Sequence, residues 1–247
     1  MANRRNIRRL PDFLIIGTQK GGTTSLYNYL IQHPQIMQAK KKEIHFFDLK
    51  YHKGMKWYKR QFPLKPTSLG GFKTGEATPK YIFDKDVPER VFKQMPAVKL
   101  IVLLRNPVDR AFSNYQMDLD SKLPLLLHQG SNDQFMTFEE ALEANIGQIY
   151  LKKGMYAEQL ERWLKWFPTN QLLIIQSEKF FSNPAQTLTK VYRFLGVSNI
   201  RLTNYQPYRS GNYKKMKPET RKKLLAFYKP HNDKLNKLLN MNFNWNS

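Results

Sequence analysis

The sequence predicts an α/β fold: a single domain with a central, mostly parallel sheet flanked by helices. Three observations carry that prediction. Short apolar runs of strand length recur at Phe13–Gly17, Lys99–Leu104 and Gln171–Ile175. After Lys99 and Gln171, which open the second and third, they are continuously apolar rather than alternating, which suits strands covered on both faces. Segments with helical spacing of apolar residues separate them. At 247 residues, 41% of them apolar, the chain has the size and core of one large α/β unit. The expected division is a basic arm over 1–10 and one domain over 11–247.

The elements follow in order. Phe13–Gly17 reads as a buried strand ending in glycine, then a polar turn over Thr18–Gly22. Leu26, Tyr27, Leu30 and Ile31 place a helix over Thr23–Ile31, with a Thr or Ser as its cap, and His33-Pro34 ends it. Lys40–Asp48 mixes charge with aromatics and reads as a loop. Gly54–Phe62 is a short amphipathic helix, Phe72–Glu76 a strand and Pro88–Met95 a helix. Lys99–Leu104 is the second clear strand. Arg105-Asn106-Pro107 follows it and opens a helix over Val108–Leu119, with Pro107 near the first helical position. Leu123–Gln134 is a loop; Phe138–Gln148 and Met155–Trp166 are helices. Gln171–Ile175 is the third clear strand. Asn183–Leu195 is a helix stopped by Gly196. A basic loop over Tyr205–Lys217 leads into a long basic helix from Pro218 to about Asn240.

Lysine and arginine outnumber aspartate and glutamate by 41 to 19, a net charge of +22. Such a surface attracts polyanions. Nucleic acid, acidic polysaccharide, an anionic membrane and a phosphorylated nucleotide all fit it. The chain has no cysteine, which excludes disulfides, thiolate metal sites and cysteine nucleophiles. Met1–Arg9 is basic, but Leu14-Ile15-Ile16 is too short for the apolar stretch of a signal peptide, and no window approaches a membrane span. A soluble, cytoplasmic protein is expected.

Two strand-to-helix turns carry the chemistry. Gly17-Thr18-Gln19-Lys20-Gly21-Gly22-Thr23-Thr24-Ser25 joins the first strand to the first helix. Glycines let backbone N–H groups converge on an anion, and the helix N-terminus adds partial positive charge. Lys20 supplies a full charge, and Thr23, Thr24 and Ser25 supply hydroxyls. Gly17 and Gly22 have the spacing of a nucleoside triphosphatase loop, but Thr23 stands where that loop has lysine. The second strand ends in Leu104-Arg105, not in the acidic residue that would hold Mg²⁺. The expectation is an anion site without a metal. In the second turn, Arg105 emerges at a strand end and Ser113 lies about two turns into the next helix. An arginine fork with a hydroxyl suits a phosphate monoester. Ligands of parallel sheets bind beyond the strands' carboxyl ends, so both turns are expected on one edge, gripping opposite ends of one nucleotide.

Together the two turns resemble the donor-binding motifs of the sulfotransferases that use 3′-phosphoadenosine 5′-phosphosulfate (PAPS). Lys20-Gly21-Gly22-Thr23-Thr24-Ser25 resembles their 5′-phosphosulfate loop, and Arg105 with Ser113 their 3′-phosphate site. Lys42-Glu43-Ile44-His45-Phe46-Phe47-Asp48 is similar to the catalytic stretch of the heparan-sulfate-type branch. Arg209-Ser210-Gly211-Asn212-Tyr213 is similar to its last nucleotide loop, which implies nucleotide contacts at Arg209, Gly211 and Tyr213. Gly75-Glu76-Ala77-Thr78-Pro79-Lys80-Tyr81 resembles a substrate-side segment, with Glu76 and Lys80 as acceptor contacts. Animal members of this branch carry a disulfide and a membrane anchor. Neither pattern is found here, which points to a bacterial relative.

The resemblance implies a P-loop-like sulfotransferase fold, PAPS as co-substrate, 3′,5′-bisphosphoadenosine (PAP) as product and no metal. Lys20 falls on the leaving phosphate. Glu43 is the candidate base; neighbouring aromatics would raise its pKa and Lys41 and Lys42 would lower it. His45 either orients Glu43 or is itself the base. The acceptor reads as a hydroxyl or amine of a carbohydrate. The same chemistry on a lipid, a carrier-bound acyl chain or a small alcohol is the alternative. A polyanion-binding protein without catalysis is the rival of a different class; no specific nucleic-acid partner is expected.

Overall fold

A computed structural model describes residues 9–64, 71–120, 127, 135–206 and 215–246. In chain order its strands are β1 Phe13–Gly17, β2 Ile36–Gln38, β3 Lys73–Ala77, β4 Lys99–Leu104 and β5 Leu172–Gln176. Its α-helices are α1 Thr23–Leu30, α2 Phe46–Leu49, α3 Gly54–Lys59, α4 Val87–Gln94, α5 Pro107–Asp120, α6 Phe138–Glu143, α7 Asn145–Lys152, α8 Tyr156–Leu164, α9 Ser177–Ser182, α10 Pro184–Leu195 and α11 Pro218–Leu239. The strands make one sheet in the order β2-β3-β1-β4-β5. The β1–β3, β1–β4 and β2–β3 pairings are parallel, so the predicted α/β class with a mostly parallel sheet is what the chain adopts. β3 and β4 flank β1 on its two sides, and ligands of such sheets bind where the strand order turns, beyond the carboxyl ends.

The chain forms two compact units: the described residues of 1–103 with 162–209, and those of 104–161 with 210–247. The first holds the sheet. All five residues of β1 are buried, which is why the run is continuously apolar. Phe13, Ile15, Leu26, Leu30, Ile101 and Leu188 share its core. The second is helical and is built around Val108, Ala111, Tyr150, Leu224 and Tyr228. Arg110 is fully buried there, donating to Tyr150 O and to Asn114 Oδ1. No described helix is long and apolar enough to cross a membrane.

Most elements lie within a residue or two of their sequence limits, and the differences have local causes. α1 is not capped by Thr or Ser: Gly22, at φ 97°, takes that position, with no side-chain cap. Lys40–Asp48 is not all loop, because Phe46 and Phe47 are buried and start α2. The expected helix over Phe138–Gln148 divides at Ala144, whose ψ of 167° is extended. β2 and α9 have no strong signal of their own. β2 is three residues long, and its Ile36 alone is buried. Gly196 ends α10 as predicted, left-handed at φ 73°.

Candidate active site

The turn after β1 is built by backbone contacts to the neighbouring strand. Thr18 donates to Leu103 O twice, from its N–H at 2.8 Å and its hydroxyl at 2.9 Å. Gly21 N donates to Thr18 O at 3.0 Å, and Ser177 Oγ to Gly21 O at 2.7 Å. A Cβ on Gly21 would lie 2.8 Å from Leu103 O, so only glycine lets the turn close this tightly. The turn delivers the chain to the N-terminus of α1, which has no side-chain cap and no acidic residue in its first turn. Its first N–H groups have no partner within the helix, and the helix dipole favours an anion there. Thr23 and Ser25 are buried beside it, 4% and 1% exposed. Lys20 is left-handed, at φ 68°.

The Lys42–Asp48 stretch lies on the same edge of the same unit. β3 runs parallel to β1, and Glu43 N donates to Ala77 O, at the end of β3, at 3.1 Å. Three side chains then form a line. Asp48 Oδ2 is 2.8 Å from His45 Nδ1, and His45 Nε2 is 3.5 Å from Glu43 Oε2. Lys42 Nζ is 2.5 Å from Glu43 Oε1, and Lys80 Nζ is 3.9 Å from Asp48 Oδ2. Exposure falls along the line, from 43% for the Glu43 side chain through 22% for His45 to 0% for Asp48. Glu43 therefore faces outward, braced by buried charge.

The electrostatics follow from these pairings. The hydrogen bond from His45, then Lys42, outweighs burial and holds the Glu43 carboxyl down at about 2. Neighbouring aromatics do not raise it. Asp48 first, then Glu43, pushes His45 up to about 9. At neutral pH the line is a carboxylate, an imidazolium and a carboxylate. Glu43 and His45 are both left-handed, at φ 60° and 54°. With Lys20, these are three of the five described non-glycine residues at positive φ; the other two are asparagines near the C-terminus. Such backbone costs about 1–3 kcal/mol per residue and gathers at functional sites, where the surroundings enforce it.

Glu76 is not an exposed acceptor contact. It is fully buried. Tyr58 OH and Tyr81 OH donate to Oε1 at 2.6 and 3.2 Å, and Thr78 Oγ1 donates to Oε2 at 2.7 Å. Burial raises its pKa. Lys80, its side chain 47% exposed, remains open to a substrate.

The second unit holds Arg105 and Ser113. Arg105 follows β4, and its carbonyl accepts from Tyr156 OH at 2.8 Å. Asn106 Oδ1 accepts from Val108 N at 2.9 Å and caps the start of α5. Ser113 is 4% exposed. Asp109 pairs with Arg221 at 2.6 Å. Arg209, Gly211 and Tyr213 lie outside the described residues. Sequence reasoning left Asp48, Tyr58 and Tyr81 off the site, although Asp48 and Tyr81 fall within its two family-like stretches. The spacing of His45 and Asp48, three apart at the start of a helix, was a signal for the first. Nothing local marked the tyrosines.

Comparison with known proteins shows the family. The family model described as "Sulfotransferase domain" matches residues 10–236, and the chain belongs to that family. It is a PAPS-dependent sulfotransferase by class, moving a sulfuryl group to a hydroxyl or amine. It is 33% identical to heparan sulfate glucosamine 3-O-sulfotransferase 6 of Mus musculus, over 96% of this chain and 74% of that one. It is 33% identical to heparan sulfate glucosamine 3-O-sulfotransferase 3B1 of Mus musculus, over 96% of this chain and 65% of that one. Among solved structures, a sulfotransferase from Alicyclobacillus acidocaldarius superposes with a TM-score of 0.81 at 29% identity, covering 97% of this chain and 100% of that one.

Proposed function

We propose that residues 11–247 act as one sulfotransferase domain, moving the sulfuryl group of PAPS in line, without a metal, to a hydroxyl or amine of a carbohydrate-like acceptor. The observation that supports this most is the pairing of two features on one sheet edge. An uncapped helix N-terminus beside Lys20 suits the phosphosulfate, and an outward carboxylate suits the acceptor's proton. In this reading Lys20, Gly21, Gly22 and the hydroxyls of Thr23, Thr24 and Ser25 hold the 5′-phosphosulfate. Arg105 and Ser113 hold the 3′-phosphate, and Arg209, Gly211 and Tyr213 complete the nucleotide site.

The acceptor oxygen bonds to sulfur as the bond from sulfur to the 5′-phosphate oxygen breaks. PAP leaves with that electron pair, its new charge met by Lys20 and preorganised N–H donors. The acceptor's proton passes to Glu43. A hydroxyl bonding to sulfur becomes strongly acidic, so a carboxylate held at about 2 accepts the proton downhill. His45, raised to about 9, already carries its proton at neutral pH, which favours Glu43 as base and His45 as its brace. Lys80 is the acceptor contact that remains open.

An acidic glycan is supported by net charge and by crowding. Lys50 is held below its ordinary value by burial, then by the charges of Lys41 and Lys53, so lysines are crowded together near Glu43. The 33% identity to heparan sulfate sulfotransferases agrees. Labelled PAPS offered with a panel of glycans, lipids and small alcohols tests the acceptor; transfer to lipids alone would sink the glycan assignment. Millimolar PAP is expected to raise the melting temperature by mass action, and Lys20→Ala or Arg105→Ala to shrink that rise. No rise in the wild type removes the donor assignment.

A further inference from the structure

Five consecutive backbone N–H groups, Glu43 through Phe47, all end on the residues that close β3. Glu43 N donates to Ala77 O at 3.1 Å, and Ile44 N to the Glu76 carboxylate. His45 N reaches Thr78 Oγ1 at 3.5 Å, while Phe46 N and Phe47 N reach Tyr81 OH at 2.9 and 3.3 Å. Both hydroxyls give their single hydrogen to Glu76, Thr78 at 2.7 Å and Tyr81 at 3.2 Å. An ionised carboxylate only accepts. It therefore turns both hydroxyls toward itself and leaves their lone pairs to accept from the backbone.

We infer that Glu76 is a positioning residue: its buried carboxylate, through Thr78 and Tyr81, holds the Glu43–Phe47 segment in the conformation that aims Glu43 and His45 outward. The role rests on the proposed sulfotransferase reading for its catalytic meaning, but not for its geometry. Without this frame, the left-handed residues Glu43 and His45 would relax toward commoner backbone, and the line from Asp48 to Glu43 would break. Glu76 touches no substrate. It sets the polarity of a hydrogen-bond network, which an amide would reverse by donating toward Thr78.

The test uses Glu76→Gln, Thr78→Val and Tyr81→Phe in the whole protein. The first readout needs no donor: the titration of the His45 imidazole followed by NMR, with Glu43, Asp48, Lys42 and Lys80 as the charged groups around it. Wild-type His45 is expected to titrate near 9, and Glu76→Gln and Thr78→Val to move it down toward its ordinary value. The second is kinetic: kcat falls about 10- to 100-fold, as misplaced reacting groups do, while the melting rise given by PAP is unchanged. Folded variants with wild-type titration and wild-type kcat overturn the role, as does a lowered melting temperature with nothing else changed. If Glu76→Gln does not fold, Thr78→Val and Tyr81→Phe carry the test. Should wild type ignore PAP, the sulfotransferase reading fails while the His45 titration still decides the positioning role.

Discussion

Glu43 and His45 bind their proton with opposite bias, and pH separates their roles. Glu43 is held at about 2 and His45 at about 9. If Glu43 takes the acceptor's proton, the rate is flat across neutral pH and falls as pH rises through about 9, where His45 loses the charge that braces it. If His45 were the base, the rate would climb toward that same pH. Initial rates across neutral and alkaline pH distinguish the two. Folding follows the same signs. The Glu43 contribution is present above its ordinary value of 4.5 and lost as pH falls through about 2. The His45 contribution is present below its ordinary value of 6.5 and lost as pH rises through about 9. Glu43→Gln is expected to remove most turnover and leave the melting rise with PAP intact; full activity would move the base elsewhere. Lys20 was legible as a site candidate because glycines and hydroxyls gather around it, and Glu43 and His45 because their stretch resembles the family's catalytic one. The burial of Glu76 was not, because the tyrosines that enclose it are 18 residues before it and five after it.

The turn between β1 and α1 makes a sharper demand on sequence than any helix does. Gly21 must admit Leu103 O, since an added Cβ would stand 2.8 Å away. Gly21→Ala is expected to push the turn off β4 and weaken PAP binding several-fold, read by calorimetry; unchanged affinity would separate this turn from the nucleotide. Gly196→Ala is the contrasting case. Gly196 is left-handed at φ 73° with open space around it, so alanine should cost about 1 kcal/mol of stability and leave PAP affinity alone. The continuous apolar strands and the proline- and glycine-marked helices were readable because their signals are local. The cap of α1 and the break at Ala144 were not. A glycine with no capping side chain, and a helix interrupted at an alanine, follow from what surrounds them.

Across the molecule, the excess of 41 basic over 19 acidic residues makes a long-range field. That field draws in acidic chains and is screened by salt. If the acceptor is an acidic glycan, its KM should rise steeply between low and high salt, while kcat holds. With a neutral small alcohol as acceptor, KM should stay nearly constant. Steady-state kinetics in a salt series measure this directly, and a salt-independent KM for an acidic glycan would break the link between net charge and acceptor.

The chain by itself determined its fold class, because strand and helix periodicity is written residue by residue. It also marked a candidate anion site, because a glycine turn with lysine and hydroxyls needs only neighbours in sequence. The tertiary structure decided what those residues can do. It brought Asp48 behind His45 and His45 behind Glu43, which set their proton affinities. It also buried Glu76 against the hydroxyls of Tyr58, Thr78 and Tyr81. Contacts between residues far apart in the chain leave no periodicity and no spacing to read, and the electrostatics of the site are made of such contacts.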